Sequence, residues 1–136
     1  MKKLSEEEKQ FIKVNEIVPN IREIYLVAKV IDMEEERTVT SRKTNEEHRV
    51  MDVLVGDETG VLYYSAWNEQ IDMMKKDETF KFLNAKTILY KRNLRLSLGK
   101  QGTIEDSEEK IEEVNTENNI SLAEHDIPRR NNYRSY

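Results

Sequence analysis

Between residues 24 and 98 apolar residues fall in short runs or at every second position, the spacing of β-strands rather than of helices. Residues 24–31 (I-Y-L-V-A-K-V-I) are rich in β-branched side chains and read as a first strand. Residues 32–47 are polar and read as the far end of that strand followed by a long loop. Residues 49–55 (R-V-M-D-V-L-V) predict a second strand, and G-D-E-T-G at 56–60 supplies turn chemistry, with glycines available for positive φ. Residues 61–67 (V-L-Y-Y-S-A-W) predict a third strand, which closes a hairpin and ends on the only tryptophan. Alternation along it puts Leu62, Tyr64 and Ala66 inside, and Val61, Tyr63, Ser65 and Trp67 outside.

Residues 68–76 carry Ile71, Met73 and Met74 and fit one or two helical turns across a barrel end. A fourth strand is expected over 79–89, a turn at 91–93, and a fifth strand at 94–98. In the fifth, Leu94, Leu96 and Leu98 alternate with Arg95 and Ser97. At the N-terminus, Ser5 and Glu8 fit a capping box, so 6–12 reads equally as a short helix or as a frayed arm.

The expected fold class is therefore all-β. Five strands with a short helical insert between the third and fourth are the plan of an OB-fold, a Greek-key barrel. The expected organisation is an N-terminal arm over 1–12, the barrel over 13–104, and a flexible tail over 105–136, acidic and then Arg- and Tyr-containing. Polar, charged sequence of that kind buries too little apolar surface to offset the entropy of ordering. Truncation after Ile104 is expected to tighten or preserve binding by the barrel.

Composition narrows the chemistry. Cysteine is absent, which removes disulfides and thiolate-bound metals and suits a reducing interior. No apolar run approaches the roughly 20 residues of a membrane span, and the N-terminus has no secretory signal pattern. The expectation is an intracellular protein without membrane contact. His48 and His125 are the only histidines. No zincin, phosphate-loop or nucleophile-elbow motif appears. Neither Glu34–Glu36 nor Asp57-Glu58 has the spacing of a calcium loop. No enzyme, cofactor or metal is expected.

The net charge of −5 is unevenly placed. Nine acids and four bases lie in 105–136, whereas 13–104 carries fifteen of each. Residues 79–104 contain no acid but hold Lys81, Lys86, Lys91, Arg92, Arg95 and Lys100. An aromatic strand beside an acid-free basic strand pair suits a single-stranded nucleic acid, whose bases stack on rings while its phosphates meet cations. The structural alternative for Trp67 is burial in the core.

K-V-N-E-I-V-P-N-I-R-E-I (13–24), V-G-D-E-T-G…W (55–67) and N-A-K-T-I-L-Y-K (84–91) occur in that order. In this the chain resembles the single-OB single-stranded-DNA-binding proteins of archaea and the B subunits of the eukaryotic sensor of single-stranded DNA. It is similar also to replication protein A OB-folds. The resemblance covers residues 13–104 and implies stacking by Trp67 and Tyr90, with Lys91 beside them. The family commonly has an aromatic at Lys86 and a glycine at Arg92, so both are departures; Asn93 is expected to supply any positive φ at that turn. The implied function is sequence-tolerant binding of single-stranded DNA, protecting exposed strands in replication, repair or recombination. The expected contacts are Trp67, Tyr90, Tyr63, Lys86, Lys91, Arg92 and Arg95, with Arg42 and Lys43 from the long loop. RNA binding and a protein-interaction role are the alternatives, and the tail is the expected contact for replication or repair proteins.

Overall fold

The computed structural model describes residues 11–90 and 93–121. The strands are β1 (Phe11–Ile12), β2 (Ile24–Met33), β3 (Arg37–Thr40), β4 (Glu47–Asp57), β5 (Gly60–Trp67), β6 (Thr79–Tyr90), β7 (Asn93–Ser97) and β8 (Thr103–Asp106). One helix, α1 (Glu69–Met73), sits between β5 and β6, in the place the sequence predicts. Five strands close on themselves: β2 pairs β4, β4 pairs β5, β5 pairs β7 in parallel, β7 pairs β6, and β6 returns to β2. This is an OB-fold barrel, and closure leaves its central strands without free edges.

The barrel forms because the two faces of each strand differ. In β2 the odd side chains are half-buried while Ile24, Leu26, Ala28 and Val30 are buried. Val53, Val55, Leu62, Tyr64, Phe82, Leu94 and Leu96 meet them in the interior. The Tyr64 and Phe82 rings pack edge to face with centroids 5.0 Å apart, a geometry that suits their quadrupoles. Ile71 of α1 and Met74 just after it are buried and close one end of the barrel.

β6 contains one register shift. Ile24 pairs Ala85 while Leu26 pairs Phe82, so β6 spends an extra residue against β2. Asn84 sits there at φ 58, a left-handed conformation that asparagine tolerates. Phe80 and Phe82 point inward before the bulge, and Ala85 and Thr87 are buried after it. Unbroken alternation would have turned Lys86 into the core; the bulge turns it out.

Phe11 and Ile12, read as the end of a short helix or frayed arm, instead form β1, paired in parallel with β2; the structure departs from the sequence reading in three further places. Part of the expected long loop is a hairpin: β3 pairs the start of β4, with Val39 opposite His48 and Arg37 opposite Val50. The short R-T-V-T segment has the β-branched residues for this, and Ser41 to Glu46 closes the turn through backbone bonds. Secondly, Gly56 and Gly60 are absent from the positive-φ residues. A Cβ on Gly60 would lie 2.8 Å from the Asn118 carbonyl oxygen, so that glycine admits a crossing chain. Asn93 begins β7, and its amide donates to the Ser121 carbonyl at 2.6 Å.

The third departure is that crossing chain. Residues 105–121, expected as flexible tail, follow the barrel surface. β8 pairs β6, Asn115 N–H donates to the Asp57 carbonyl, and Val61 exchanges backbone bonds with Asn118 and Ile120. Ile120 is buried in the core, and the Ser121 hydroxyl bonds Tyr63 N–H and the Leu94 carbonyl. A few apolar residues and well-placed bonds anchor an otherwise polar strap. Residues 1–10, including most of the expected arm and its capping box, and 122–136, the rest of the expected tail, lie outside the described residues.

Candidate nucleic-acid interface

The outer faces of β4, β5, β7 and β6 form one continuous surface, and ladder register fixes which residues share it. Val50, Asp52 and Leu54 stand opposite Trp67, Ser65 and Tyr63. Tyr63 stands beside Arg95, and Arg95 opposite Ile88. Lys86 stands opposite Ser97. Laterally paired residues project to the same side of a sheet, so Trp67, Tyr63, Arg95 and Lys86 are brought to one face.

Trp67 lies on the outer side and is 38 % exposed, while its inward neighbour Ala66 is buried. Its ring meets His48 edge-on, with centroids 6.4 Å apart. Its backbone N–H donates to Gln70 Oε1, which also accepts from the Tyr64 hydroxyl. The strand end that presents the indole is thus tied to α1. Ser65 and Ser97, at 7 % and 8 % exposure, form a shallow floor between Trp67 and Lys86.

The opposite end of the face is occupied by its own polar cluster. Arg95 Nη1 lies 2.6 Å from Asp52 Oδ1, and Arg37 Nη1 lies 3.5 Å from Asp52 Oδ2. The Arg95 guanidinium covers the Tyr63 ring at 5.4 Å. Burial, together with a hydrogen bond to Glu34, raises the Tyr63 phenol above its ordinary range. The surface beside the acid-free basic strand pair is therefore cationic only in part. The acid-free stretch 79–104 leaves open which carboxylates neighbouring strands bring, and β4 brings Asp52 within reach of Arg95.

The other predicted residues divide. Lys86 faces the floor, with its stem along Gly99: a Cβ there would lie 3.1 Å from Lys86 Cε. Arg42 and Lys43 are exposed in the turn of the β3–β4 hairpin, beyond the Val39–His48 pair. Tyr90 ends β6 opposite Asn93, but its side chain, and Lys91 and Arg92 altogether, lie outside the described residues. Among the described residues no group of three or more His, Asp and Glu side chains is arranged to hold a metal ion. None of their helices is long and apolar enough to cross a membrane.

Comparison with known proteins agrees with this architecture. Residues 17–106 match the family described as single-stranded DNA binding protein Ssb-like, OB fold. An uncharacterised protein of Arabidopsis thaliana is 32 % identical over 126 residues, covering 86 % of this chain and 82 % of that protein. The single-stranded DNA binding protein Ssb of Saccharolobus solfataricus is 26 % identical over 97 residues, covering 71 % and 64 %. Among solved structures, a hypothetical Arabidopsis thaliana protein superposes with TM-score 0.73 at 28 % identity, covering 93 % of each chain. The second OB-fold domain of replication protein A from Methanococcus maripaludis superposes with TM-score 0.60 at 19 % identity. It covers 76 % of this chain and 100 % of that domain, a likeness of fold.

Proposed function

Because the chain belongs to the Ssb-like OB-fold family of single-stranded-DNA-binding proteins, which are binding proteins rather than enzymes, we propose that it binds single-stranded DNA with little sequence preference. The observation that carries this reading is the exposed Trp67 indole on the outer barrel face, beside the serine floor and Lys86. A tryptophan held at a strand end offers a π-face that any base can stack on. Lys86, with Lys91 and Arg92 next in sequence after β6, supplies phosphate contacts, and Tyr90 a second ring. Tyr63 and Arg95 are weaker candidates, since each already engages the other. Arg42 and Lys43 reach a strand only if it extends along the β3–β4 hairpin. The proposed role is protection of exposed strands in replication, repair or recombination, with partner proteins contacted through the C-terminal tail.

Oligo-dT is expected to quench Trp67 fluorescence, and a matched duplex to leave it nearly unchanged. Trp67→Ala is expected to cost about 1–3 kcal/mol of binding, or roughly 5- to 150-fold in affinity, with the unfolding midpoint preserved. Unchanged affinity in that variant would remove the stacking role. A stronger response to the matched ribo-oligonucleotide would reassign the domain to RNA.

A further inference from the structure

A pocket of about 520 Å³ opens beside the serine floor, between the lead-in to β2, the bulge of β6 and the turn after β7. Arg22, Lys86 and Lys100 line it, together with Asn84, Gly99 and a single described acid, Glu23. Among the described residues none of these three cations is in an ion pair. On the rest of the face Arg37 and Arg95 are both committed to Asp52.

The pocket is held in place by the backbone. Ile21 N–H donates to the Thr87 hydroxyl and Thr87 N–H to the Ile21 carbonyl, each at 3.0 Å. Arg22 is thereby fixed next to the strand that carries Lys86. The Asn84 bulge turns Lys86 outward. Gly99, at φ +65, leaves a bare surface along which the Lys86 stem lies, its Nζ 3.4 Å from where a Cβ would stand.

We propose that this pocket binds backbone phosphates of the single strand whose base stacks on Trp67. The strand then crosses the sheet from Trp67 over Ser65 and Ser97 into the Arg22–Lys86–Lys100 pocket, a lateral distance of about two strand spacings, roughly 10 Å. It turns away from Tyr63 and Arg95, where Asp52 cancels the arginine charge and Glu34 lies against Tyr63. Electrostatics sets this path: one end of the face offers uncommitted cations, and at the other the arginine charge is offset by carboxylates. The inference rests on the single-strand-binding reading and adds the route and the phosphate subsite.

The test is the salt dependence of oligo-dT binding, read by Trp67 fluorescence between 50 and 200 mM salt. Each phosphate neutralised on a single strand contributes about 0.7 to the log–log slope. The triple variant Arg22→Gln/Lys86→Gln/Lys100→Gln is expected to lower the slope by about 2 and to keep the quench at saturation. Lys100→Gln alone, at an exposed turn, is expected to lower it by about 0.7, which covers a folding failure of the triple variant. Lys75→Gln/Lys76→Gln is the control and should leave the slope unchanged. An unaltered slope in Lys100→Gln and in a folded triple variant, with wild-type binding intact, overturns the pocket and spares the functional reading. An equal loss in the control also overturns it. Absence of any wild-type binding defeats the functional reading, and the pocket with it.

Discussion

The Arg95 guanidinium lies 2.6 Å from the Asp52 carboxylate, with both side chains largely buried, on the face that presents Trp67. In a protein built to meet phosphates, an arginine already held by a carboxylate is withheld from the ligand. Asp52 also receives Arg37 at 3.5 Å, so one acid organises two cations and fixes the guanidinium over the Tyr63 ring.

Asp52→Asn should therefore act in opposite directions on binding and stability. Breaking a mostly buried ion pair leaves Arg95 uncompensated and is expected to cost about 3 kcal/mol. The released guanidinium and the lost repulsion should tighten oligo-dT binding and steepen the salt slope by about 0.7. Urea unfolding and salt titrations of the same variant measure both. Lost stability with an unchanged slope would make Arg95 purely structural.

Asp57 is the keystone of the hairpin turn. Its buried carboxylate accepts Val14 N–H at 3.0 Å, Thr59 N–H at 2.8 Å and the Thr59 hydroxyl at 2.6 Å. Its carbonyl accepts Asn115 N–H. One residue thus joins the lead-in, the β4–β5 turn and the strap. Each buried donor left unpaired costs about 1–3 kcal/mol, so Asp57→Ala should lose about 3 kcal/mol or more in urea unfolding. A loss below about 1 kcal/mol would show that water replaces the carboxylate.

A chain ending at Ile104 should be markedly less stable than one ending at Ser121. The shorter chain loses the Ile120 side chain, whose full burial is worth about 1.5–3 kcal/mol, and the bonds to Val61, Tyr63 and Leu94. The longer one keeps them all. Thermal unfolding of both chains decides the matter; equal midpoints would mean the strap contributes nothing.

Burial pushes the Tyr64 phenol far above its ordinary value, which is about 10. The unfolded chain loses this proton near pH 10 while the folded barrel keeps it. Above that pH the unfolded state binds fewer protons, so stability present below pH 10 is lost as pH rises. Tyr63, raised in the same direction, adds to the trend. Urea unfolding from pH 8 to 11 should show a shallower decline in Tyr64→Phe than in wild type, and parallel curves would contradict the assignment.

The alternation of residues 61–67 already stated that Tyr64 faces in and Trp67 faces out, because strand side chains change sides at every residue whatever the neighbours are. The same rule made the leucines of β7 legible, and G-D-E-T-G marked the hairpin turn. Alternation fails at Asn84, where an extra residue reverses the side on which Lys86 appears; the bulge follows from how β6 must register against β2. Sequence also left the strap and Asp52 unread. Their roles depend on contacts across many residues, Asp57 to Asn115 and Asp52 to Arg95, and local composition carries no term for a partner that only folding brings near. The sequence by itself thus determined the five barrel strands, the barrel plan and the outward indole. The tertiary structure alone decided which cations on that face are free and which are held, because charge is cancelled through space and not along the chain.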